Sequence, residues 1–289
     1  MRRIARAPWE LLKLAFGWLV LFEAANKLRL APSAVRLRRF EDAEVRRLAP
    51  VTSGAPTAGA TATVATVIAT HRRPEALLAA VRSALAQTVP DQVVIVVDDG
   101  AGLPGPGGLP DDPRLFAVSL SRNCGTAGVV RNVGIRLTRS RYVAFLDDDN
   151  LWEPDHLARA LEALEAPGGP DGVYTALRRV RADGTEQDVL SVPFSRRRAA
   201  RESFLDTNAF VARRVRALHF SRLRRTPEVL PREDWELIRR YSRHRRVRHL
   251  PFPTVRYLVN PDSFYTAWDP SGVQQPGATA PVSPGAPPN

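Results

Sequence analysis

Residues 142–152 read YVAFLDDDNLW, an apolar run that ends in the carboxylates of Asp147, Asp148 and Asp149. A continuous apolar run is typical of a strand that is buried on both faces of a parallel sheet. In open α/β sheets, ligands bind beyond the carboxyl ends of such strands. The three carboxylates therefore indicate a ligand site, although a solvated turn with Asn150 as a helix cap fits this stretch equally well when it is taken alone.

The segments around this stretch alternate between strand and helix patterns. TATVATVIAT (61–70) and QVVIVVDD (92–99) are apolar and β-branched, which favours two further buried strands. We also predict strands at 114–120, 141–146, 172–180, 186–192 and 246–257. The predicted helices begin at Pro74, residue 126, Pro154 and residue 233. This order predicts an α/β fold with a mostly parallel sheet flanked by helices.

The composition is that of a globular protein, with 44% hydrophobic and 25% charged residues among 289. The net charge of +12 comes mainly from arginine, since lysine occurs only at Lys13 and Lys27. Arginine attracts phosphates, nucleic acid and anionic membranes, but GC-rich codons also encode it, so the charge alone selects no partner. Cys124 is the only cysteine, which excludes a disulfide within the chain and argues against a cysteine-based zinc site.

The two ends of the chain differ in composition from its centre. Residues 1–48 carry basic residues around a short apolar run, which predicts an N-terminal amphipathic helical extension. The run is shorter than the ~20 apolar residues of a membrane-spanning helix. Residues 1–30 are therefore expected either to lie on an anionic membrane surface or to pack on protein. We predict a linker at 49–62 and a disordered C-terminal tail at 269–289 from their Pro, Gly and small residues.

Polar residues stand at the predicted carboxyl ends of three strands. They are Thr70 after the first, Asp98 and Asp99 after the second, and Asp147 to Asp149 after the fourth. If the backbone stays extended, Asp147 and Asp149 point to the same side of the sheet. Two such carboxylates can hold Mg²⁺ or Mn²⁺, which prefer oxygen ligands and also take phosphate oxygens. The combination favours a site for a metal and a diphosphate over a solvated turn.

The sequence resembles family 2 glycosyltransferases, which are inverting enzymes with the GT-A fold, over about residues 63–265. Five stretches carry the resemblance in the order and rough spacing of the family: TVIATHRRPE, VVIVVDDG, NCGTAGVVRNVGI, YVAFLDDDNLWEPDHL and LPREDWELIRR. The resemblance implies a GT-A-type, Rossmann-like catalytic domain at 63–268. Its first half, 63–150, would bind the nucleotide, and its second half, 151–268, would bind the acceptor.

The resemblance implies a nucleotide-binding group and a metal-binding pair. Thr70, Asp98 and Asp99 match positions that hold the nucleoside of a sugar nucleotide, and Arg131 matches an arginine near the nucleotide. The motif D-x-D is matched at 147–149. The first carboxylate of that motif would face the ribose and sugar, and the second would hold Mn²⁺ or Mg²⁺.

Asp234 matches the catalytic base, which takes the proton of the acceptor hydroxyl. A helix start at this position would stabilise its ionised form, and ordinary capping of the helix is the alternative. Asn260 stands where family members often carry a histidine, so it is a candidate for the metal or the acceptor. Asn208 is a candidate for the acceptor side, and a polar strand end is its alternative. The basic run 239–249 could bind phosphate or anionic lipid, but we favour a solvated face.

The sequence thus predicts an inverting, metal-dependent transferase that moves a sugar from a nucleotide diphosphate sugar to a hydroxyl acceptor. The acceptor would be a lipid-linked or cell-envelope glycan, and the lack of Q-x-x-R-W after Trp235 favours non-processive transfer. We expect the protein in the cytoplasm or peripherally on the inner face of the cell membrane, without a nucleic-acid partner. The alternatives are a non-catalytic nucleotide-sugar-binding protein of the same fold and a sugar nucleotidyltransferase, whose glycine-rich loop is missing from ATHRRPE.

Overall fold

The computed structural model describes residues 18–53, 61–105, 107–223 and 233–259. The predicted tail, Asn260 and residues 54–60 of the predicted linker lie outside these residues. The helices are α1 (Trp18–Ser53), α2 (Pro74–Leu85), α3 (Ala127–Leu137), α4 (His156–Glu165), α5 (Arg196–Ala199) and α6 (Glu233–Tyr241), with a 3-10 turn at Thr207–Ala209. The strands are β1 (Ala62–Thr70), β2 (Gln92–Asp98), β3 (Leu115–Ser119), β4 (Ser140–Asp147), β5 (Leu151–Trp152), β6 (Gly172–Val180), β7 (Glu186–Leu190), β8 (Phe210–Arg213) and β9 (Val247–Leu258).

The described strands form one sheet in the order β3-β2-β1-β4-β8-β6-β9-β5, with β7 beside β6. Strands β1 to β4 are parallel, as predicted. Strand β8 runs antiparallel to both β4 and β6, so the second half of the sheet is mixed. The predicted α/β fold is confirmed, and β5, β8 and α5 are elements that the sequence pattern does not reveal.

The central strands owe their position to apolar side chains on both faces. Val64, Val67 and Ile68 in β1 and Val94 to Val97 in β2 are fully buried, because helices cover the sheet. The pairing register sets Thr70 beside Asp98 and Ala69 beside Asp147. The core thereby brings the polar strand ends together at one edge of the sheet.

The second half of α1 packs against α3 through buried carboxylates. Glu41 is 0% exposed and accepts hydrogen bonds from Asn132, Arg136 and Arg222 at 2.7–3.2 Å. Glu44, about one turn further along, is also buried. The helix continues to residue 53, into the segment predicted as a linker. Within the described part of the chain, no helix is both long enough and apolar enough to cross a membrane.

We expect Glu41→Ala to lower the free energy of unfolding by about 3 kcal/mol, because it leaves two guanidinium groups without their buried partner. Asp42→Ala is the matched control, since Asp42 contacts the same Arg136 at 2.6 Å from a side chain that is 35% exposed. Its loss should be at most about 1 kcal/mol. Urea unfolding measures both values, and equal losses would contradict the role of the buried carboxylate.

Candidate active site

Asp147 ends β4 and is held in place by Asn208. The Asn208 side chain accepts a hydrogen bond from the Asp147 backbone N–H at 2.5 Å and donates one to its carboxylate at 2.8 Å. Asn208 also donates to Asp206 at 2.6 Å and is 1% exposed. This residue reaches the carboxyl edge because β8 starts there, antiparallel to β4. In this structure Asn208 positions Asp147, and its side chain is turned away from solvent.

Arg131 joins the two ends of the candidate site. Its guanidinium contacts Asp147 on one side, and it lies 3.0 Å from Glu233 and 3.2 Å from Asp234 on the other. Burial lowers the pKa of Arg131, but the charges of Asp147, Asp234 and Glu233 outweigh it and raise the pKa above its usual value. The ring of Phe220 packs beneath the guanidinium at 5.1 Å. Arg131 is therefore a permanent cation between carboxylates of β4 and α6.

Glu233 also closes the amino end of α3. Its carboxylate accepts a hydrogen bond from the backbone N–H of Gly128 at 3.0 Å, and the Thr126 side chain makes no capping bond there. A Cβ at position 128 would lie 2.8 Å from the Glu233 carboxylate. It would also lie 2.8 Å from the Cβ of Phe220, which cannot move away as the end of a flexible side chain can, so the first turn of α3 favours glycine here.

The backbone turns at Asp148, so the extended geometry assumed from the sequence is wrong. Strand β4 ends at Asp147, and the carboxylates of Asp148 and Asp149 share one partner, Arg73, at 3.3 Å and 2.6 Å. Thr70 donates its hydroxyl to Asp148 at 2.7 Å. Thr70, one of the residues assigned to the nucleoside, thus lies against the turn that follows β4.

Asp98 and Asp99 accept hydrogen bonds from the backbone of the loops around them. Asp98 accepts hydrogen bonds from the backbone N–H groups of Ala101 and Gly102 at 2.9 Å and 2.8 Å. Asp99 accepts from the N–H of Cys124 at 2.7 Å and from the N–H of the next residue at 3.1 Å. Both carboxylates shape the loops that border the edge of the sheet.

The pKa values of the carboxyl groups in the site are shifted in different directions. Burial raises the pKa of Asp147, but Arg131 and Asn208 outweigh burial and hold it below its usual value. Burial and the charge of Asp147 raise the pKa of Asp206 to about 6. Burial raises the pKa of Asp234 to about 8, although Arg131 opposes the shift. The expected stabilisation of ionised Asp234 at the helix start is therefore outweighed, even though α6 does begin at the predicted position.

The turn at 147–149 has the chemistry of a divalent cation site. Burial raises the pKa of Asp149, and the charges of Asp147 and Asp148 raise it further. Only one Asp149 oxygen is bonded, to Arg73, among the described residues. Repelling carboxylates with a free oxygen fit Mg²⁺ or Mn²⁺. Both Asp147 oxygens are held by protein, and the described residues contain no group of three or more His, Cys, Asp or Glu side chains arranged for a metal ion.

Three residues of the site were not anticipated from the sequence. Arg73 precedes a helix-starting proline, Asp206 lies in LDTN, and Glu233 adjoins Asp234. The sequence shows Glu233 and Asp234 as an adjacent acidic pair, but it does not show that both contact Arg131. Charge repulsion gives a signal for such partners, because a chain that adds six more carboxyl groups to Asp98 and Asp99 at one edge must supply cations nearby. The six are Asp147, Asp148, Asp149, Asp206, Glu233 and Asp234.

The family model described as glycosyl transferase family 2 matches residues 66–224. The match covers over half of the chain, and the chain belongs to this family, as the sequence motifs predict. A curated relative, the succinoglycan biosynthesis protein ExoO of Rhizobium meliloti (strain 1021), is 38% identical over 105 residues, which are 35% of this chain and 30% of that protein. The chain spans about a third of the length of the curated relatives that match it first.

Two solved structures share the fold at low sequence identity. Residues 1–349 of TarS of S. aureus, in complex with UDP-GlcNAc, have a TM-score of 0.54 at 16% identity, over 72% of this chain and 61% of that fragment. The mannosyltransferase PcManGT of Pyrobaculum calidifontis, in complex with GDP-Man and Mn²⁺, has a TM-score of 0.51 at 15% identity, over 82% and 70% of the two chains. These matches confirm the predicted GT-A-type fold.

We expect the raised pKa of Asp234 to make the protein less stable as the pH rises. The ordinary pKa is 3.8 and the folded value is about 8, so the folded state holds a proton that the unfolded chain releases between these values. Stability is then lost from about pH 4 to pH 8. Asp234→Asn should remove part of this loss, on the order of 1 kcal/mol or more between pH 5 and pH 8.

Urea unfolding at about pH 5 and about pH 8, with a chelator present, measures the change in the free energy of unfolding. Asp111→Asn, on an exposed loop, is the control and should keep the wild-type pH dependence. Parallel profiles of the wild type and Asp234→Asn would show that Asp234 is ionised in the folded protein.

Proposed function

We propose that this protein is an inverting, metal-dependent glycosyltransferase that transfers a sugar from a nucleotide diphosphate sugar to a hydroxyl of a glycan or lipid-linked acceptor. One observation carries the proposal. A single guanidinium, that of Arg131, contacts both Asp147, the first carboxylate of the D-x-D turn, and Asp234, the candidate base. The D-x-D carboxylate and the proposed base thus contact the same guanidinium at the carboxyl edge of the sheet.

Asp234 is suited to take the proton of the acceptor hydroxyl. Its side chain is 28% exposed, so an acceptor can reach it. A base works best when its pKa lies near the working pH, and the pKa of Asp234 is raised to about 8. Arg131 favours the ionised form of Asp234, and Glu233 opposes it. A base placed across the sugar from the departing diphosphate leads to displacement in one step and to inversion.

The donor half would bind the nucleotide diphosphate through the opposite end of the site. Asp149 would hold Mn²⁺ or Mg²⁺, with Asp147 nearby, and the bound cation would stabilise the departing diphosphate as a Lewis acid. Asn208 and Arg131 fix the carboxylate of Asp147 before any ligand arrives. The UDP-GlcNAc named with TarS and the GDP-Man and Mn²⁺ named with PcManGT support a donor and a cation of this kind.

The acceptor and the location follow from the names of relatives and from the sequence. The name of ExoO, a succinoglycan biosynthesis protein, supports a glycan acceptor such as a cell-envelope glycan. The missing Q-x-x-R-W motif supports non-processive transfer. The basic and aromatic residues within 1–30 support a cytoplasmic protein that contacts the inner face of the membrane peripherally.

The donor site is tested by thermal unfolding with a panel of nucleoside diphosphates, each with Mn²⁺, Mg²⁺ or a chelator. We expect one diphosphate to raise the melting temperature by roughly 5 °C or more, and only with a cation. Asp149→Ala should abolish the shift, and Asp111→Ala should retain it. A shift that persists in Asp149→Ala or in the chelator would rule out the metal assignment.

The base is tested by sugar transfer with the donor identified in this way. Asp234→Asn should lower kcat by between about 100-fold and 10 000-fold, because general base catalysis is lost while the diphosphate still binds. Asp183→Asn, in the exposed turn between β6 and β7, should leave kcat unchanged. Near-normal transfer by Asp234→Asn would exclude this base, and diphosphate binding without any transfer by the wild type would favour the non-catalytic alternative.

A further inference from the structure

A cavity lies away from the carboxyl edge of the sheet. It has a volume of about 370 Å³ and is lined by Pro170, Phe194, Arg196, Arg246, Val247 and Arg248. Val247 opens β9 and pairs with Gly172, which opens β6. Strands β6 and β4 run in the same direction, because both are antiparallel to β8. The cavity therefore lies at the amino end of the sheet, opposite the edge that carries Asp147.

The cavity is strongly basic. Arg196, Arg246 and Arg248 are exposed, and none of them has an acidic side-chain partner among the described residues. Arg246 donates to the backbone carbonyl of Gly169 at 2.7 Å, which orients its guanidinium and leaves its charge unbalanced. The nearby carboxylate of Asp171 accepts hydrogen bonds from the Arg245 side chain and from the backbone N–H of Arg246. Three positively charged side chains thus line one concave surface.

This geometry suits a phosphoryl group better than other anions. Guanidinium groups bind phosphate and carboxylate through paired N–H donors. Three guanidinium groups can surround a tetrahedral dianion, one from α5 and two from the start of β9. A planar carboxylate has fewer oxygens for such paired contacts. Phe194 and Pro170 add an apolar wall that fits the ring or chain of a sugar or polyol.

A bilayer surface fits the cavity less well. Membrane-surface sites insert large apolar side chains beside their basic residues. Among the described residues, the exposed large apolar side chains lie elsewhere, at Leu28, Val35, Val51, Val189, Phe252 and Leu258. The basic run 239–249, interpreted from the sequence as a solvated face, contributes only two of the three arginines, and Arg196 comes from α5.

Two contacts connect the cavity with the candidate active site. The Trp235 indole, next to Asp234, donates to the backbone carbonyl of Ala199 at the end of α5, at 2.7 Å. At the other end of α6, the Tyr241 hydroxyl donates to the backbone carbonyl of Asp171 at 2.8 Å. Helix α6 has nine residues, so it spans roughly 13 Å. The residues contacted at the two ends of α6 adjoin the cavity in sequence, and an acceptor would need several sugar or polyol units to reach from the cavity to Asp234.

We propose that this arginine-lined cavity binds a phosphoryl group on the acceptor, as a sugar phosphate or polyol phosphate unit, while another unit presents its hydroxyl at Asp234. The acceptor role rests on the proposed function, but binding of a sugar phosphate does not. The site would select acceptors that carry phosphate at a fixed distance from the reacting hydroxyl. It would also explain why these arginines are left without acidic partners.

The test is a calorimetric titration of the full chain with glucose 1-phosphate in 50 mM salt and a chelator. Arg196→Glu combined with Arg248→Glu should raise the dissociation constant at least tenfold. The matched control combines Arg46→Glu with Arg82→Glu, two exposed arginines on other helices that change the net charge equally. The control should bind as the wild type does. Equal binding by the wild type and the Arg196/Arg248 variant would overturn the proposal.

Two further probes separate the possible sources of the anion. Glucuronate should bind the wild type at least tenfold more weakly than glucose 1-phosphate, and equal binding would overturn the choice of phosphate. Vesicles of phosphatidylglycerol should bind the wild type and the Arg196/Arg248 variant alike. Loss of vesicle binding in the variant, together with unchanged binding of glucose 1-phosphate, would assign the arginines to a membrane surface instead.

Hydrolysis of the donor without acceptor distinguishes failure of this site from failure of the proposed function. The Arg196/Arg248 variant should hydrolyse the nucleotide sugar within twofold of the wild-type rate, because the donor half is intact. Hydrolysis lowered as strongly as binding would overturn a separate acceptor site. No hydrolysis or transfer by the wild type, with phosphate binding retained, would overturn the glycosyltransferase function and the acceptor role but not the phosphate site.

Discussion

The pairing of one buried guanidinium with three carboxylates is the constraint on which the candidate site depends. Arg131 is 5% exposed, and a buried charge is stable only with close partners. Those partners come from the end of β4 and the first turn of α6. The same pairing holds the first turn of α6 against α3, where Glu233 accepts a hydrogen bond from the backbone N–H of Gly128. Fold and site are therefore joined through a single side chain.

The parts of the fold that depend on local apolar pattern could be predicted. Strands β1, β2 and β4 are long and rich in β-branched or aromatic residues. Both faces of each strand are apolar, which predicts a sheet covered by helices on both sides. The carboxyl edge follows from that arrangement, because parallel strands end together. Strand β8 could not be predicted, since its four residues carry no period of their own. Its pairing with β4 and β6 makes it a strand. The same pairing brings Asn208 next to Asp147.

The electrostatic partners in the site could not be predicted, because they are set by contacts between distant segments. The sequence shows Asp147 to Asp149 as a run, but a turn of the backbone decides that Arg73 pairs with the last two and Arg131 with the first. The buried Glu41 has the same origin. A glutamate among charged residues of a helix has the pattern of a solvated face, and its partner Arg222 lies 181 positions away.

The contact between α1 and α3 has a mechanical consequence. Glu41 is bonded to Asn132, the residue next to Arg131, and to Arg222. A pull on α1 along its axis would therefore reach the backbone beside Arg131 through Glu41, and it would reach the edge of the sheet through the bond from Arg47 to the Ser119 carbonyl. In the opposite direction, a rearrangement of the Arg131 contacts would change the tension on α1. A load on α1 would thus be divided between the helix that carries Arg131 and the strand at the edge of the sheet.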